Sequence, residues 1–563
     1  MKILGAEAVI ECLKREGVEV AFGYPGGAVL TLYDALYKAD FPHVLTRHEQ
    51  GAVHAADGYA RATGKVGVCI ATSGPGGTNL ITGIATAYMD SVPLVAITGQ
   101  VGLSLIGKDS FQEADICGIT TPITKHNYLV KRAQDIPRVM KEAFHIARTG
   151  RPGPVVVDIS KDVFNTPMEF SYPETVSLRG YKPLPDGDAS AVTEAATALA
   201  SAQKPLLFVG GGVNLSDTAD SARQLAVLTG APVISSLMGL GSIPSSQPDN
   251  LGMVGMHGSY AANMAVSECD LLVAVGARFD DRVISVAKDF APQARIVHLD
   301  IDPAEINKNI RCDIRVVGDL RWSLPLLCDT FAEVKKTKGS TDIMNWLTQV
   351  RQWQEDDPLK GRLSSHGMMA KHVFEAVMKQ AAPDAIIVTD VGQHQMWTAQ
   401  YYGFNRPRSL LTSGGLGTMG YGLPAAIGAQ MGRPQQEVIL FTGDGSIMMN
   451  CQEFATVADN SLPLRIILLN NEVLGMIKQW QRMFYGQRYS HSSTRGATDF
   501  VKLAEAMGVT GMRVKEEGEL DNILAEAFRT DGPVMIEVML PADEDVLPMV
   551  PPGGKLNQMV LGG

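Results

Sequence analysis

The sequence predicts an α/β protein with three consecutive domains, each built on a parallel sheet. The chain has 563 residues, which is more than one hydrophobic core can organise. Three stretches repeat a short apolar strand, a glycine-rich turn and an amphipathic helix, which is the pattern of parallel α/β domains. A proline-rich linker and a later polar segment separate these stretches. The predicted domains are residues 1–166, 189–330 and 365–540, followed by a proline-punctuated tail, 541–563.

Apolar runs bounded by turn residues give the predicted strands of each domain. The runs are 66–72, 94–98 and 155–159 in the first domain, 206–209, 271–275 and 296–300 in the second, and 385–390, 437–442, 464–469 and 534–538 in the third. Each run is short and almost wholly apolar, as expected of strands covered by helices on both faces.

Composition excludes several classes of function. The formal net charge is −11 and no dense Lys/Arg run occurs, which argues against nucleic acid or an anionic membrane as a partner. The seven cysteines are scattered without metal-type spacing, as expected of reduced thiols in the cytosol. No apolar run is long enough to span a bilayer, and the first residues lack a secretory core. We therefore expect a cytoplasmic protein.

The most informative motif is Gly443-Asp444-Gly445, followed after 24 residues by Asn470-Asn471. A predicted strand precedes each half of this motif, and the carboxyl ends of parallel strands are where α/β sheets bind ligands. Asp444 and Asn471 would then present two oxygen ligands to one hard cation such as Mg²⁺. The glycines allow close approach of phosphate oxygens, and a helix predicted to begin near Ser446 would favour an anion. The motif predicts a bound diphosphate.

This motif resembles the thiamine-diphosphate (ThDP) fingerprint, and the whole chain is similar to the catalytic subunits of the acetohydroxyacid synthase (acetolactate synthase) family. The motifs that carry the resemblance are Tyr24–Gly27, Arg47–Gln50, Thr72–Gly76, Phe111–Glu113, Arg151–Pro154, Gly276–Arg282, Asp390–Gln395, Gly414–Gly420 and Met549–Gly553. The resemblance implies an N-terminal domain for the ThDP pyrimidine, a central Rossmann-like domain for FAD, and a C-terminal domain for the diphosphate and Mg²⁺. It also implies a transferase that starts the biosynthesis of valine, leucine and isoleucine.

The resemblance assigns the ThDP-binding residues. Glu49, at the start of a predicted helix, would bind the pyrimidine ring nitrogen and promote loss of the proton that activates the cofactor. That role requires a buried, well-placed carboxylate. The other implied ThDP contacts are Gly392, Gln393, His394, Gln395, Met419, Gly443, Gly445, Ser446, Asn471 and Met476. Met419 would be the apolar wedge between the two cofactor rings, and the metal ligands would be Asp444, Asn471 and the backbone carbonyl of Val473.

The implied reaction joins pyruvate, after loss of CO₂, to a second 2-keto acid, either pyruvate or 2-oxobutyrate. The resemblance places Gly27, Phe111, Gln112 and Lys161 at the reaction centre. Arg282 would hold the acceptor carboxylate, because a planar guanidinium suits bidentate binding. Trp480 would shape the pocket for the acceptor side chain. Since one methyl group is worth about 1–3 kcal/mol in an apolar pocket, we expect graded selectivity for 2-oxobutyrate.

The middle domain has glycines after a strand and acidic residues at strand ends, a pattern that is weak evidence for a nucleotide by itself. The resemblance implies FAD in a structural role, idle in the reaction. The implied FAD contacts are Arg151, Gly211, Gly212, His257, Gly258, Gly276, Arg278, Asp300 and Asp319.

The resemblance further implies a homodimer or homotetramer with sites at the subunit interface, and a separate small regulatory subunit. Three positions depart from the family pattern, Lys108, Gly77 and Ser160, and Lys108 adds a charge near the substrate entrance.

Two other functions stay open. A pyruvate oxidase-type ThDP flavoenzyme would share Glu49 and the metal motif, whereas Gly276–Arg282 and Trp480 favour carboligation. A non-catalytic paralogue would have no need of Glu49, Asp444 and Asn471 together.

Overall fold

The computed structural model describes residues 2–184, 187–359 and 367–562. Its main feature is a set of three six-stranded sheets, each of them parallel throughout. The predicted fold class is confirmed. The predicted domain limits at residues 1, 365 and 563 lie outside the described residues, and the domain bounds stay a prediction.

The first sheet has the strand order β3-β2-β4-β5-β7-β6. Strand β8 pairs antiparallel with β1, so it extends the first unit beyond the predicted limit at residue 166. The strands are β1 (Lys2–Leu4), β2 (Ala21–Gly23), β3 (His43–Leu45), β4 (Gly67–Ala71), β5 (Leu94–Gln100), β6 (His126–Val130), β7 (Pro154–Ser160) and β8 (Pro167–Glu169). The helices are α1 (Gly5–Arg15), α2 (Leu30–Lys38), α3 (Glu49–Thr63), α4 (Pro75–Asn79), α5 (Ile81–Met89), α6 (Ile116–Thr120), α7 (Ile136–Arg148) and α8 (Lys161–Phe164).

The central sheet has the order β11-β10-β9-β12-β13-β14. Helix α14 crosses the limit predicted at residue 330, because Phe331 and Val334 continue its buried face. The strands are β9 (Pro205–Val209), β10 (Val233–Ser235), β11 (Asn250–Met253), β12 (Leu271–Val275), β13 (Arg295–Asp300) and β14 (Ile314–Val317). The helices are α9 (Ala189–Ser201), α10 (Gly211–Leu215), α11 (Ala219–Thr229), α12 (Tyr260–Glu268), α13 (Asp281–Ile284), α14 (Leu320–Lys338) and α15 (Met344–Glu355).

The third sheet has the order β16-β15-β17-β18-β20-β19. The strands are β15 (Ile386–Thr389), β16 (Leu410–Leu411), β17 (Val438–Gly443), β18 (Arg465–Asn470), β19 (Thr510–Val514) and β20 (Val534–Met539). The helices are α16 (Ala370–Gln380), α17 (Gln393–Tyr401), α18 (Gly422–Gly432), α19 (Asp444–Ile447), α20 (Glu453–Asp459), α21 (Gly475–Phe484), α22 (Phe500–Ala506) and α23 (Glu517–Arg529). The neighbours β17 and β18 run parallel, so both halves of the Gly-Asp-Gly and Asn-Asn motif leave the same edge of the sheet.

Helices α3 and α18 join the first and third units within one chain. Their contact is so close that a Cβ on Gly58 would lie 2.1 Å from the carbonyl oxygen of Ala425, and one on Gly428 would lie 1.8 Å from that of Ala55. Buried residues of both sheets form one continuous core around these helices. The two units are therefore held against each other by backbone-to-backbone packing.

The tail is ordered over the part that the structure describes. Val550 donates its backbone N–H to the carbonyl of Met256 at 2.8 Å, and Met549 pairs with Val560. Val550 is fully buried in the core of the central unit. Among the described residues, no helix combines the length and the apolar character needed to cross a bilayer.

Candidate active site

A cavity of about 1340 Å³ lies between the third and central sheets. Its walls include the Gly-Asp-Gly turn after β17, the residues after β18, the start of α17 and the glycine-rich loop before α18. The opposite wall comes from loops of the central sheet. Residues of the first unit also line the cavity, among them Asp90, Ser91 and Arg151. All predicted diphosphate and metal residues, all predicted FAD residues except Gly258, and both Arg282 and Trp480 line this one cavity.

The predicted metal ligands converge at the edge of the third sheet. Asp444 begins α19, two residues before the predicted helix start, and it is only 4% exposed. Burial raises the pKa of its carboxyl group to about 6, although the Thr494 hydroxyl donates to it. Asn471 donates its amide to the Gln393 side chain at 3.0 Å, which fixes its orientation. A carboxylate, an amide and the Val473 carbonyl are the hard oxygen donors that Mg²⁺ prefers, so this donor set fits the ion.

Glycines let His394 and Gln393 pack against the turns at this cavity wall. A Cβ on Gly443 would lie 2.9 Å from the His394 ring, and one on Gly475 would lie 1.8 Å from Oε1 of Gln393. The buried Nε2 atom of His394 has no hydrogen-bond partner among the described residues, and burial lowers the pKa of this histidine to about 3. Buried polar atoms in proteins usually have a hydrogen-bond partner, so the unpaired nitrogen of this neutral ring can form a hydrogen bond with a ligand in the cavity. The cradle fits an anionic cofactor.

The loop that carries Met419 is held from several sides. Asp390 accepts the backbone N–H groups of Gly420 and Gly422 at 2.8 and 3.2 Å. Asn450 donates to the carbonyl of Gly420 at 2.7 Å. Gln395 donates to the Thr412 hydroxyl at 2.7 Å and to the Ser413 carbonyl at 3.1 Å, so its amide supports the start of the loop. Met419 is thereby placed as an apolar wall of the cavity, which Met476 lines from α21.

The predicted flavin residues gather in the central part of the cavity. Gly212 and Gly276 pack so closely that a Cβ on either would lie 2.8 Å from the Cα atom of the other, and Gly276 has a φ of +58°. Asp300 is buried at the end of β13, and burial raises its pKa to about 6. His257 has a buried Nδ1 atom without a partner among the described residues. These glycines and the unused nitrogen of His257 line one cavity, and this combination fits a nucleotide-like ligand.

Arg282 and Trp480 face the same cavity from the central and third units. The Arg282 side chain is 65% exposed, and its Nη1 atom lies 3.5 Å from the sulfur of Met256. Trp480 packs edge-on against Phe484, with ring centroids 5.5 Å apart. Trp480 also packs against a small apolar cluster formed by Met256, Leu547 and Met549. Sequence reasoning gave Met256 and Leu547 no role, because their contact joins the loop after β11 to the tail, which no local pattern signals.

The remaining predicted catalytic residues lie elsewhere, along the carboxyl edge of the first sheet. Gly27, Glu49, Phe111, Gln112 and Lys161 follow strands β2, β3, β5 and β7, and none of these five lines the cavity. Phe111 is 89% exposed, and a Cβ on Gly27 would meet open space.

Glu49 does not have the buried carboxylate that the sequence analysis expects. It is partly exposed within one chain and accepts a 2.9 Å hydrogen bond from Asn79. The physical reason is its position at the first residue of α3. Glu453 of the third unit contacts the neighbouring Arg47 and His48 but leaves the Glu49 side chain partly exposed.

The motifs around this edge fix one another. A Cβ on Gly26 would lie 2.5 Å from Thr72, and Thr72 accepts the backbone N–H of Ala28 at 3.2 Å. A Cβ on Gly74 would lie 2.8 Å from the backbone of Gln112, which has a φ of +59°. One chain therefore carries two separate half-sites: the cavity, and the edge formed by Gly27, Glu49, Phe111, Gln112 and Lys161.

The chain combines three parallel sheets with a cavity that carries hard oxygen ligands and glycine-rich turns, and it has a carboxylate on a second edge. These features define the class of thiamine pyrophosphate enzymes. Sequence models of protein families match this class over most of the chain. Residues 3–119 match the N-terminal TPP binding domain of thiamine pyrophosphate enzymes, 192–327 the central domain, and 390–538 the C-terminal TPP binding domain.

Similarity to named proteins shows which family of thiamine pyrophosphate enzymes the chain belongs to. The chain is 49% identical over 561 residues to an acetolactate synthase of Mycobacterium bovis, covering 98% of this chain and 90% of that protein. It is 46% identical over 563 residues to the acetolactate synthase isozyme 3 large subunit of Escherichia coli, covering 99% and 98%. It is 47% identical over 570 residues to a probable acetolactate synthase large subunit of Methanocaldococcus jannaschii, covering 99% and 95%. The chain belongs to the acetolactate synthase large-subunit family and has the function of that family.

Proposed function

We propose that the chain condenses two 2-keto acids with loss of one CO₂, using ThDP held by Mg²⁺ in the cavity and FAD bound beside it. Two molecules of pyruvate would give 2-acetolactate, and pyruvate with 2-oxobutyrate would give 2-aceto-2-hydroxybutyrate. The observation that carries the proposal is the single cavity that joins Asp444, Asn471 and Val473 to Arg282 and Trp480. It provides one place for a diphosphate and a second for a carboxylate acceptor.

When bound, thiamine diphosphate supplies the carbon nucleophile that removes CO₂ from the first keto acid and passes on the remaining two-carbon unit. Asp444, Asn471 and the Val473 carbonyl would hold the cation, and Gly392, Gln393, His394, Gly443, Gly445 and Ser446 would surround the diphosphate. The Glu49 carboxylate would exchange a proton with the pyrimidine nitrogen. Met419 and Met476 would exclude water around the reacting atoms.

The acceptor would lie against Arg282 and the wall formed by Trp480 and Met256. The Arg282 side chain is largely exposed, and its ion pair with Asp281 is long, with Nε and Oδ2 3.7 Å apart. A bidentate pair with the acceptor carboxylate is therefore available. The apolar wall favours an ethyl over a methyl side chain by about 1–3 kcal/mol, which supports a graded preference for 2-oxobutyrate.

The flavin would be structural. The proposed condensation has no net redox step, so FAD need not change oxidation state during turnover. Arg151, Gly211, Gly212, His257, Gly276, Arg278, Asp300 and Asp319 would contact it.

A homodimer or homotetramer would complete each site. The Glu49 edge of one chain would close the cavity of another, which gives the exposed Phe111 side chain a partner surface. The relatives named above include proteins called large subunits, and this supports a separate small regulatory subunit. We also propose a cytoplasmic location.

Anaerobic turnover tests the reaction. The purified protein is incubated with pyruvate, Mg²⁺ and ThDP, with and without FAD, while pyruvate and acetolactate are measured. We expect one acetolactate for every two pyruvates consumed, without any electron acceptor. Consumption of pyruvate only when oxygen or a quinone is supplied would reject carboligation and support an oxidase. The Asp444→Ala variant is the negative control, because the loss of a metal ligand should abolish the metal-dependent turnover.

A further inference from the structure

A buried ionic cluster of the first unit lies against the loop that carries Met419. Arg61 on α3 contacts Asp57 at 2.6 Å and Asp90 at 2.9 Å. The Arg61 side chain is 7% exposed, and both carboxylates are fully buried. Burying such charges gives little net stability, so the cluster calls for a reason other than stability.

The two carboxylates of this cluster hold both ends of the loop. Asp90 accepts the backbone N–H groups of Gly414 and Gly415 at 2.9 and 2.7 Å. Asp57 accepts the Tyr421 hydroxyl at 2.8 Å. Hydrogen bonds to ionised acceptors are stronger than neutral ones, and here they fix a loop rich in glycine that would otherwise have many conformations.

The residue after Asp90 contacts the flavin side of the cavity. Ser91 has a φ of +60°, and its hydroxyl accepts a 2.8 Å hydrogen bond from Nε of Arg151. Nη1 of Arg151 also contacts Glu305 at 2.6 Å and Asp302 at 3.1 Å in the central unit. Asp90, Ser91 and Arg151 all line the cavity.

We propose that Asp90 is a positioning residue that, through Ser91 and Arg151, couples the flavin part of the cavity to the loop that carries Met419. A ligand that restrains Arg151 restrains Ser91, and with it the carboxylate that holds Gly414 and Gly415. Occupation of the flavin part then lowers the cost of ordering the loop when ThDP binds. This inference rests on the proposed function, because it takes FAD and ThDP as the occupants of the cavity.

Binding linkage tests the inference. The dissociation constant of ThDP in the presence of Mg²⁺ is measured by calorimetry on the flavin-free and FAD-loaded protein. In the unmodified protein we expect FAD to tighten ThDP binding about fivefold or more, which is the lower end of typical coupling between sites. In Asp90→Asn and in Ser91→Gly we expect the factor to fall below about twofold, because the link is broken. Ser91→Gly retains the ion pairs and suits the positive φ, so it tests the link even if Asp90→Asn does not fold.

Asp135→Asn is the matched control. It removes a carboxylate of the first unit that pairs with Arg132 outside the cavity, and it should keep the coupling of the unmodified protein. A merely structural role of Asp90 would weaken the binding of both cofactors without changing the factor between them. Full coupling in Ser91→Gly or Asp90→Asn, or no effect of FAD on ThDP binding in the unmodified protein, would overturn the inference. Failure of both cofactors to bind the unmodified protein would instead reject the proposed function.

Discussion

At the residue scale, Glu49 is the side chain on which the proposed chemistry depends most. It lies in the first turn of α3, beside Asn79 and the glycine-rich turn that contains Gly76. A Cβ on Gly76 would lie 3.3 Å from its Oε1 atom, so the turn leaves the carboxylate little freedom.

We predict that Glu49→Gln reduces kcat by about 10² or more, since positioned acid–base groups contribute 10²–10⁴. The amide keeps the shape and the contact with Asn79 but cannot exchange the proton. Steady-state rates with pyruvate measure the loss, and circular dichroism checks the fold. Glu505→Gln, on the exposed face of α22, should keep full activity. Unchanged turnover in Glu49→Gln would disprove the assigned role.

A second prediction concerns Gly475, which begins α21. In Gly475→Ala the new Cβ would fall 1.8 Å from Oε1 of Gln393. Gln393 would have to move and release Asn471, so we expect weaker Mg²⁺ and ThDP binding, by at least about tenfold for a loss of 1.4 kcal/mol. Calorimetric titration of the apo protein measures this. Gly518→Ala, in α23, meets nothing within 4 Å and should leave cofactor binding unchanged while stabilising the helix by up to about 1 kcal/mol.

At the element scale, a residue of the tail caps the start of a helix of the third unit. Glu544 accepts the backbone N–H of Ala370, the first residue of α16, with both carboxylate oxygens at 3.1 Å. Burial raises the pKa of Glu544 to about 7 from the ordinary 4.5. The folded state therefore favours the protonated acid. The free energy of unfolding is highest below pH 4.5 on this account and decreases as the pH rises to about 7.

We predict that Glu544→Gln raises the thermal midpoint at pH 8 and has little effect at pH 5. The amide can still accept the N–H of Ala370 and has no charge to bury, so the gain is at most about 3 kcal/mol. Differential scanning fluorimetry across this pH range measures the difference. The exposed Glu526→Gln should show no such pH-dependent gain. A lower midpoint for Glu544→Gln at pH 8 would contradict the prediction.

Much of this element structure could be read from the sequence. Apolar runs gave interior strands of each sheet, and the motifs after them gave cavity residues, because parallel strands present their carboxyl ends at one edge. Edge strands such as β6, β14 and β19 are short or partly exposed, and no predicted run covers them. Contacts between distant parts of the chain could not be read. Strand β8 in the predicted linker depends on pairing with β1, and Phe331 and Val334 extend α14 only because the central core covers them. Asp90 meets Gly414 across 324 residues, and no local pattern signals that contact.

At the scale of the whole molecule, the two half-sites of one chain lie on different units that α3 and α18 hold together. Under the proposed assembly each active site takes Glu49 from one chain and Asp444 from the other. A two-fold interface then completes both sites at once.

We predict complementation between two inactive variants. Glu49→Gln and Asp444→Ala are each inactive alone, but mixed dimers contain one site with both residues intact. Random exchange of equal amounts should restore about a quarter of the normal activity, because half of the dimers are mixed and each has one working site. Activity is assayed after unfolding and refolding the mixture together. A mixture as inactive as its components would show that both residues act within one chain.

The separation of Glu49 from the cavity also has a consequence for the amount of protein present. A site completed by a second chain obeys mass action. Dilution below the dimer dissociation constant would separate the dimers into inactive monomers without unfolding any chain. Specific activity would then depend on protein concentration. Any ligand that binds across both half-sites would restore activity by favouring association.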